Sequence, residues 1–219
     1  MVIDTVAVAG WLQRNYYEAK GFSTGHSRTR ANKTSSALNG LTPETLDRVI
    51  FANGGLRSNL LGVAAEVLVG ETVCMMAPSL NVQYSPLLID RIGADLILQF
   101  PDGGSRLHLG IGVKLQKTPP VDTLNAVGYP EMPVVHVAIG QMGRGIMKEY
   151  FLSLFDGLVT PQSFLVANRG SYQAFFCDLA NGICRGLDNV NSKRRPNLVQ
   201  ARDAFMGIFS QKVVGEVCD

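Results

Sequence analysis

The chain has 219 residues, a formal net charge of +2, 46% hydrophobic and 17% charged residues. That length buries a core without disulfide or metal staples, and the composition excludes a disordered or collagen-like chain. The near-neutral balance gives no global field for a polyanion, so any contact with nucleic acid has to come from local patches.

Residues 4–20 carry helical spacing, with Val6, Val8, Ala9, Leu12 and Tyr16 or Tyr17 on one side. The opening MVIDTVAVAG contains Asp4 and is too short for a signal core or a membrane span, so a cytoplasmic protein without membrane contact is expected. Residues 21–40 read as a polar, basic, mobile connector. Thr42-Pro43-Glu44 is a helix start, a hydroxyl cap followed by proline and an acid, and that helix runs to about Phe51 before Asn53-Gly54-Gly55. Residues 56–71 form a helix that is apolar on most of its surface.

Strand patterns follow at 72–77, 80–84, 93–100, 107–116 and 133–140. Pro101-Asp102-Gly103-Gly104 is a hairpin connector, so the strands flanking it should pair antiparallel. GIMKEYFLSLFDGL after residue 144 reads as a helix. QSFLVAN and YQAFFCDLANGICRGL read as late strands with an Asn181-Gly182 turn, and PNLVQARDAFMGIFSQKV as a closing helix. The order predicts a mixed α/β fold rather than a doubly wound one, divided into an N-terminal helical arm with a basic connector (1–55) and an α/β core (56–219). Cys74, Cys177, Cys184 and Cys218 show no zinc spacing. A bridge between Cys177 and Cys184 across the Asn-Gly turn is conceivable, but free buried thiols are expected.

The chemistry-bearing residues lie on the central hairpin. In LHLGIGVKLQK (107–117), Leu107, Leu109, Ile111, Val113 and Leu115 make one apolar face, while His108, Gly110, Gly112, Lys114 and Gln116 make the other. Asp95 on the preceding strand can face Lys114. A carboxylate and a lysine so placed can bind Mg²⁺ or Mn²⁺ and steady a water or phosphate oxygen, with the Val113 carbonyl as a further ligand. The bare Gly110 and Gly112 would let a bulky phosphodiester approach.

In these residues the chain resembles the PD-(D/E)xK nuclease superfamily, the restriction-endonuclease-like fold. GVAAEVLVG supplies Glu66, RIGADLIL supplies Asp95, and IGVKLQ supplies Lys114 with Gln116 just beyond, while MPVVHVAIG looks like the strand after the second core helix. The resemblance covers roughly 56–140. It implies a core of helix, antiparallel strands, helix and strand, with helical N- and C-terminal additions. It also implies a metal-dependent nuclease acting on phosphodiester bonds, with DNA as the expected substrate. Asp95 would hold the cation, Glu66 would complete its shell, Lys114 would orient the attacking water and Gln116 would touch the scissile strand. Enzymes of this kind often work as homodimers, though no interface is legible here. One departure stands out: Gly112 occupies the position of the second acid, which Glu66 or Asp90 would have to replace. Loss of the reaction with retention of the fold, leaving a nucleic-acid-binding or assembly protein, is the alternative.

Gly140-x-x-Gly143-x-Gly145 is neither a dinucleotide fingerprint nor a Walker loop. Phosphate contacts are expected from Arg28, Arg30 and Lys33, from Arg144, and from Lys193, Arg194 and Arg195. Tyr16, Tyr17 and Tyr84 read as packing residues, His136 as a core histidine, and His108 as a remote accessory at most.

Overall fold

The computed structural model describes residues 2–42, 44–45, 58–90, 93–100, 107–114, 122–126, 129–139, 146, 149–150, 152–153, 160–190 and 196–215. Helix α1 (Thr5–Leu12) starts at Asp4, whose side chain accepts from the N–H groups of Val6 and Ala7 at 3.0 and 3.1 Å. It continues as a π turn, Gln13–Tyr17. Residues expected to be a loose connector instead form α2 (Thr24–Ser35) and a 3₁₀ turn, Ser36–Leu38. The reason is a stripe of small residues, Ser27, Ala31 and Ser35, buried at a spacing of four. These let a helix with little apolar surface lie close against α1, where Tyr17 hydroxyl meets Thr34 Oγ1 at 2.8 Å. Thr42 accepts from the Thr45 N–H at 3.2 Å, as a cap should, while most of the helix expected there lies outside the described residues.

Helix α3 (Ser58–Met76) absorbs the segment 72–77 read as a strand. Its residues Leu60, Val63, Ala64, Val67, Leu68 and Val73 are buried, so the apolar run is the continuation of a core helix. Then come β1 (Asn81–Tyr84), α4 (Leu87–Asp90), β2 (Leu96–Gln99), β3 (His108–Lys114), β4 (Asp122–Ala126) and β5 (Tyr129–Ala138). The described strands form one sheet in the order β1-β2-β3-β5-β4. β2 and β3 pair antiparallel, as the hairpin connector implied, and β5 runs parallel to β3. Between β3 and β5 the described residues form a strand, β4, antiparallel to β5, where the resemblance implied a helix.

The C-terminal segments read as strands are helices: α5 (Pro161–Ala167) and α6 (Arg169–Asp188). Thr160 caps α5 with Pro161 at its first position, the start signal that the strand reading passed over. In α6, Tyr172, Phe175, Phe176, Leu179, Ala180, Ile183 and Leu187 are buried at intervals of three and four, and Asn181-Gly182 sits mid-helix rather than in a turn. A Cβ on Gly186 would collide with Val135, so glycine is what brings α6 down onto β5. The closing helix α7 (Pro196–Gly215) is where it was expected. Of the helix expected near 145–158, the described residues Ile146, Glu149, Tyr150, Leu152 and Ser153 are helical.

Leu96, Leu98, Leu109, Ile111, Val135 and Val137 face one side of the sheet and share a single hydrophobic cluster with residues of α1, α3, α6 and α7. The other side carries a smaller cluster of Ile89, Ala94, Ile97, Met132 and Val134. Among the described residues no helix is long and apolar enough to cross a membrane. Cys74 and Cys184 are free, whereas Cys177 is disulfide-bonded. The Cys177–Cys184 bridge is therefore not made, and the expectation of free thiols fails for Cys177.

Candidate functional site

Antiparallel pairing puts the start of β2 beside the end of β3, and parallel pairing brings the end of β5 to the same end of the sheet. Asp95 immediately precedes β2. Its backbone is fixed on both sides, donating to Ile111 O at 2.8 Å and accepting from Ser85 N–H at 3.0 Å. The Asp95 carboxylate accepts from the Val113 N–H at 2.6 Å and lies 3.9 Å from the Lys114 ammonium. Asp95 and Lys114 thus meet at one end of the two inner strands. The Asp95 side chain is 10% exposed and that of Lys114 37%, so the pair runs from the interior toward solvent.

Glu66 arrives from α3, but its partners are ones the sequence reading missed. Its carboxylate accepts from Tyr16 hydroxyl at 2.8 Å and from the Lys20 ammonium at 2.9 Å. Lys20 also donates to Tyr16 at 3.0 Å and to Asp90 at 3.1 Å, and its ammonium lies over the Tyr16 ring, 4.7 Å from the centroid. Its side chain is only 2% exposed. Tyr16 and Lys20 are one helical turn apart at the end of the first helical segment, so one local geometry delivers both groups. Asp90 ends α4. The turn after it closes through Gly93, at φ 106°, whose N–H donates to Asp90 O at 3.0 Å, and the Asp90 side chain is near enough to Asp95 to add to the rise of its pKa.

The charge balance is unfavourable to the acids. Burial, then the negative charge of Glu66, push Asp95 up to about 7 against the opposing pull of Lys114 and the Val113 N–H. Burial also raises Glu66, which Lys20 and Tyr16 only partly offset. Burial disfavours the charge on Lys20, but Glu66 and Asp90 outweigh it and hold the ammonium above its usual range. Tyr16 is pushed far up by burial and by Glu66, so it stays a hydroxyl donor.

A stability effect follows. From roughly pH 4 to 7 the folded chain keeps a proton on Asp95 that the unfolded chain has released, so stability falls as pH rises and the deficit is complete above about 7. Asp95→Asn removes this deficit while keeping an acceptor for Val113. The variant is expected to be more stable than the parent by on the order of 2–4 kcal/mol near pH 8, and nearly equal near pH 4. Thermal melts at the two pH values check this; equal gains at both would refute it.

The two glycines of β3 do not keep space for a ligand. Methyl groups of Ala94, Met132 and Val134 would each stand 3.1 Å from a Cβ on Gly110. A Cβ on Gly112 would overlap His136 Nδ1 and the Gly93 carbonyl oxygen. Gly112 and His136 are register partners on β3 and β5, and the imidazole lies where the resemblance would put an acid. The expected phosphodiester approach over these glycines is therefore closed by the protein itself.

Of the other residues singled out, Arg28, Arg30 and Lys33 are exposed on α2. His108 and His136 are buried. Gln116, Arg144, Lys193, Arg194, Arg195 and the glycines at 140–145 lie outside the described residues. Val113 reaches the site through its N–H. Among the described residues no three His, Cys, Asp or Glu side chains form a ready-made metal cage. No protein family, curated protein or solved structure was found to match the chain.

Proposed function

We propose that the chain is a metal-dependent nuclease with a restriction-endonuclease-like core, hydrolysing phosphodiester bonds in nucleic acid, with DNA as the expected substrate. The observation that supports it is the meeting of Asp95 and Lys114 at 3.9 Å from neighbouring antiparallel strands, with Glu66 close enough to raise Asp95. A helix, three antiparallel strands and a fourth strand parallel to the third frame that meeting.

The donor set suits Mg²⁺ or Mn²⁺. It is built of hard carboxylate oxygens, those of Asp95, Asp90 and Glu66, near enough for Glu66 and Asp90 both to raise Asp95. Mg²⁺ keeps most of its waters and takes one or two carboxylates plus substrate phosphate oxygens, so a complete protein cage is not required. When bound, the cation would supply Lewis-acid stabilisation of the phosphoryl oxygens. Lys114, partly exposed beside Asp95, orients the water whose oxygen adds to phosphorus as the bond to the leaving sugar oxygen breaks, and it offsets the developing negative charge. Lys20 and Tyr16 hold the Glu66 carboxylate in one orientation.

The test is incubation with plasmid and with single-stranded DNA or RNA, in Mg²⁺, Mn²⁺ or chelator. Metal-dependent cutting that disappears in Asp95→Asn and in Lys114→Ala, with both variants folded, is the expected result. Cutting that persists in chelator or in Asp95→Asn overturns the proposal. A second reading, a nucleic-acid-binding or assembly protein without the reaction, is favoured by the imidazole over Gly112 and by the two carboxylates tied to Lys20. Salt-sensitive binding without cutting is its signature.

A further inference from the structure

A groove of 790 Å³ opens beside the carboxylate cluster, between the segment Ala19–Phe22 and the strand β1 with Pro86. Lys20, bonded to Glu66 and Asp90, lines it, and so does Tyr84, whose ring packs edge-on against Tyr16 at 5.7 Å. Phe22 forms part of the wall. Its ring is held edge-on by Tyr17 at 6.0 Å and carries the Arg30 guanidinium, 4.7 Å from the centroid. Arg30 belongs to α2, whose exposed positions include Arg28, Arg30 and Lys33 and whose sequence contains no acid.

An aromatic wall with a guanidinium stacked on it combines two elements of a single-strand platform. The planar stack of ring and guanidinium offers a surface to any base, and the guanidinium is also a phosphate partner. The volume is that of pockets enclosing small organic molecules, about 300–1,000 Å³, which is room for a nucleotide or so and far too narrow for a duplex. Resting on the nuclease reading of the adjoining cluster, we propose that this groove receives a single-stranded segment of the substrate. A base is taken against the stack of Phe22 and Arg30 and its phosphate against Arg30, in the mouth that Lys20 also lines.

Fluorescence anisotropy in chelator, with a labelled single strand and a duplex of the same length, tests this without cleavage. The single strand should bind about tenfold or more tighter than the duplex, and Phe22→Ala should lose about tenfold of that affinity. Arg30→Ala, at an exposed position, should lower the salt dependence of binding by about one phosphate contact. A duplex bound as tightly as the single strand, or affinities unchanged in both variants, overturns the proposal. The two failures are separable. Asp95-dependent cutting without a single-strand preference removes only the groove assignment, whereas single-strand binding through Phe22 without cutting removes only the nuclease.

Discussion

Lys20→Met is expected to destabilise the fold by about 3–5 kcal/mol, the usual result of removing one partner from a buried ionic group. The ammonium is 2% exposed and touches Glu66, Asp90 and Tyr16 within 3.1 Å, so no water stands ready to replace it. Without it, Glu66, already raised by burial, gains a proton more readily. Raised acids take stability away as pH rises, so the loss should be larger near pH 8 than near pH 5. Urea midpoints at the two values give the measurement. Lys20→Met with Glu66→Gln should recover part of the loss, because replacing both charges costs less than stranding one. Mn²⁺ should stabilise Lys20→Met more than the parent, since the freed carboxylates then demand a cation. A loss below about 1 kcal/mol, as for a surface pair, would show that the network does not carry the load described.

Gly112→Asp should fail in both fold and function, although it restores the acid that the nuclease resemblance implies at this position. The added Cβ meets the Gly93 carbonyl and the His136 ring. Gly93 sits at φ 106° in the turn that sets Asp90 and Asp95, so its backbone cannot retreat without moving the site. Overpacking typically costs about 1–3 kcal/mol, and backbone against backbone belongs at the upper end. For a chain of this size each kcal/mol lowers the melting temperature by roughly 2–4 °C. Adding His136→Ala removes the ring but leaves the carbonyl, so rescue should be partial. A Gly112→Asp protein that melts with the parent and cuts better would refute the steric account.

Much of the central hairpin was legible in the sequence. Alternation along 107–115 assigned the apolar face, and Pro101-Asp102-Gly103-Gly104 announced antiparallel pairing, so Asp95 and Lys114 could be set side by side. Period and turn residues carry that information locally. Other signals competed. In α6 the Asn181-Gly182 pair masked a buried stripe at helical spacing, and α2 depends on small residues whose burial no hydropathy pattern announces. Gly112 looked like a vacancy because its occupant, His136, comes from another strand. Lys20 and Tyr16 were invisible for the same reason. The partners of Lys20 lie 46 and 70 positions further on, and nothing near residue 20 hints at them. Sequence reading finds residues that share an element; a site assembled by tertiary contact exceeds it.

The long reach of Lys20 sets an order of events at the ribosome. The first helical segment emerges with an ammonium and a phenol whose acids, Glu66 and then Asp90, follow only later, and the cluster is complete only with Asp95. At about 5–20 residues per second, the stretch from 20 to 95 takes roughly 4–15 s to synthesise. During that interval Trp11 and Leu12, destined for the shared core, have no sheet to cover them. The amino-terminal segment is thus made well before the groups it docks against, and the carboxylate cluster is completed only when it docks.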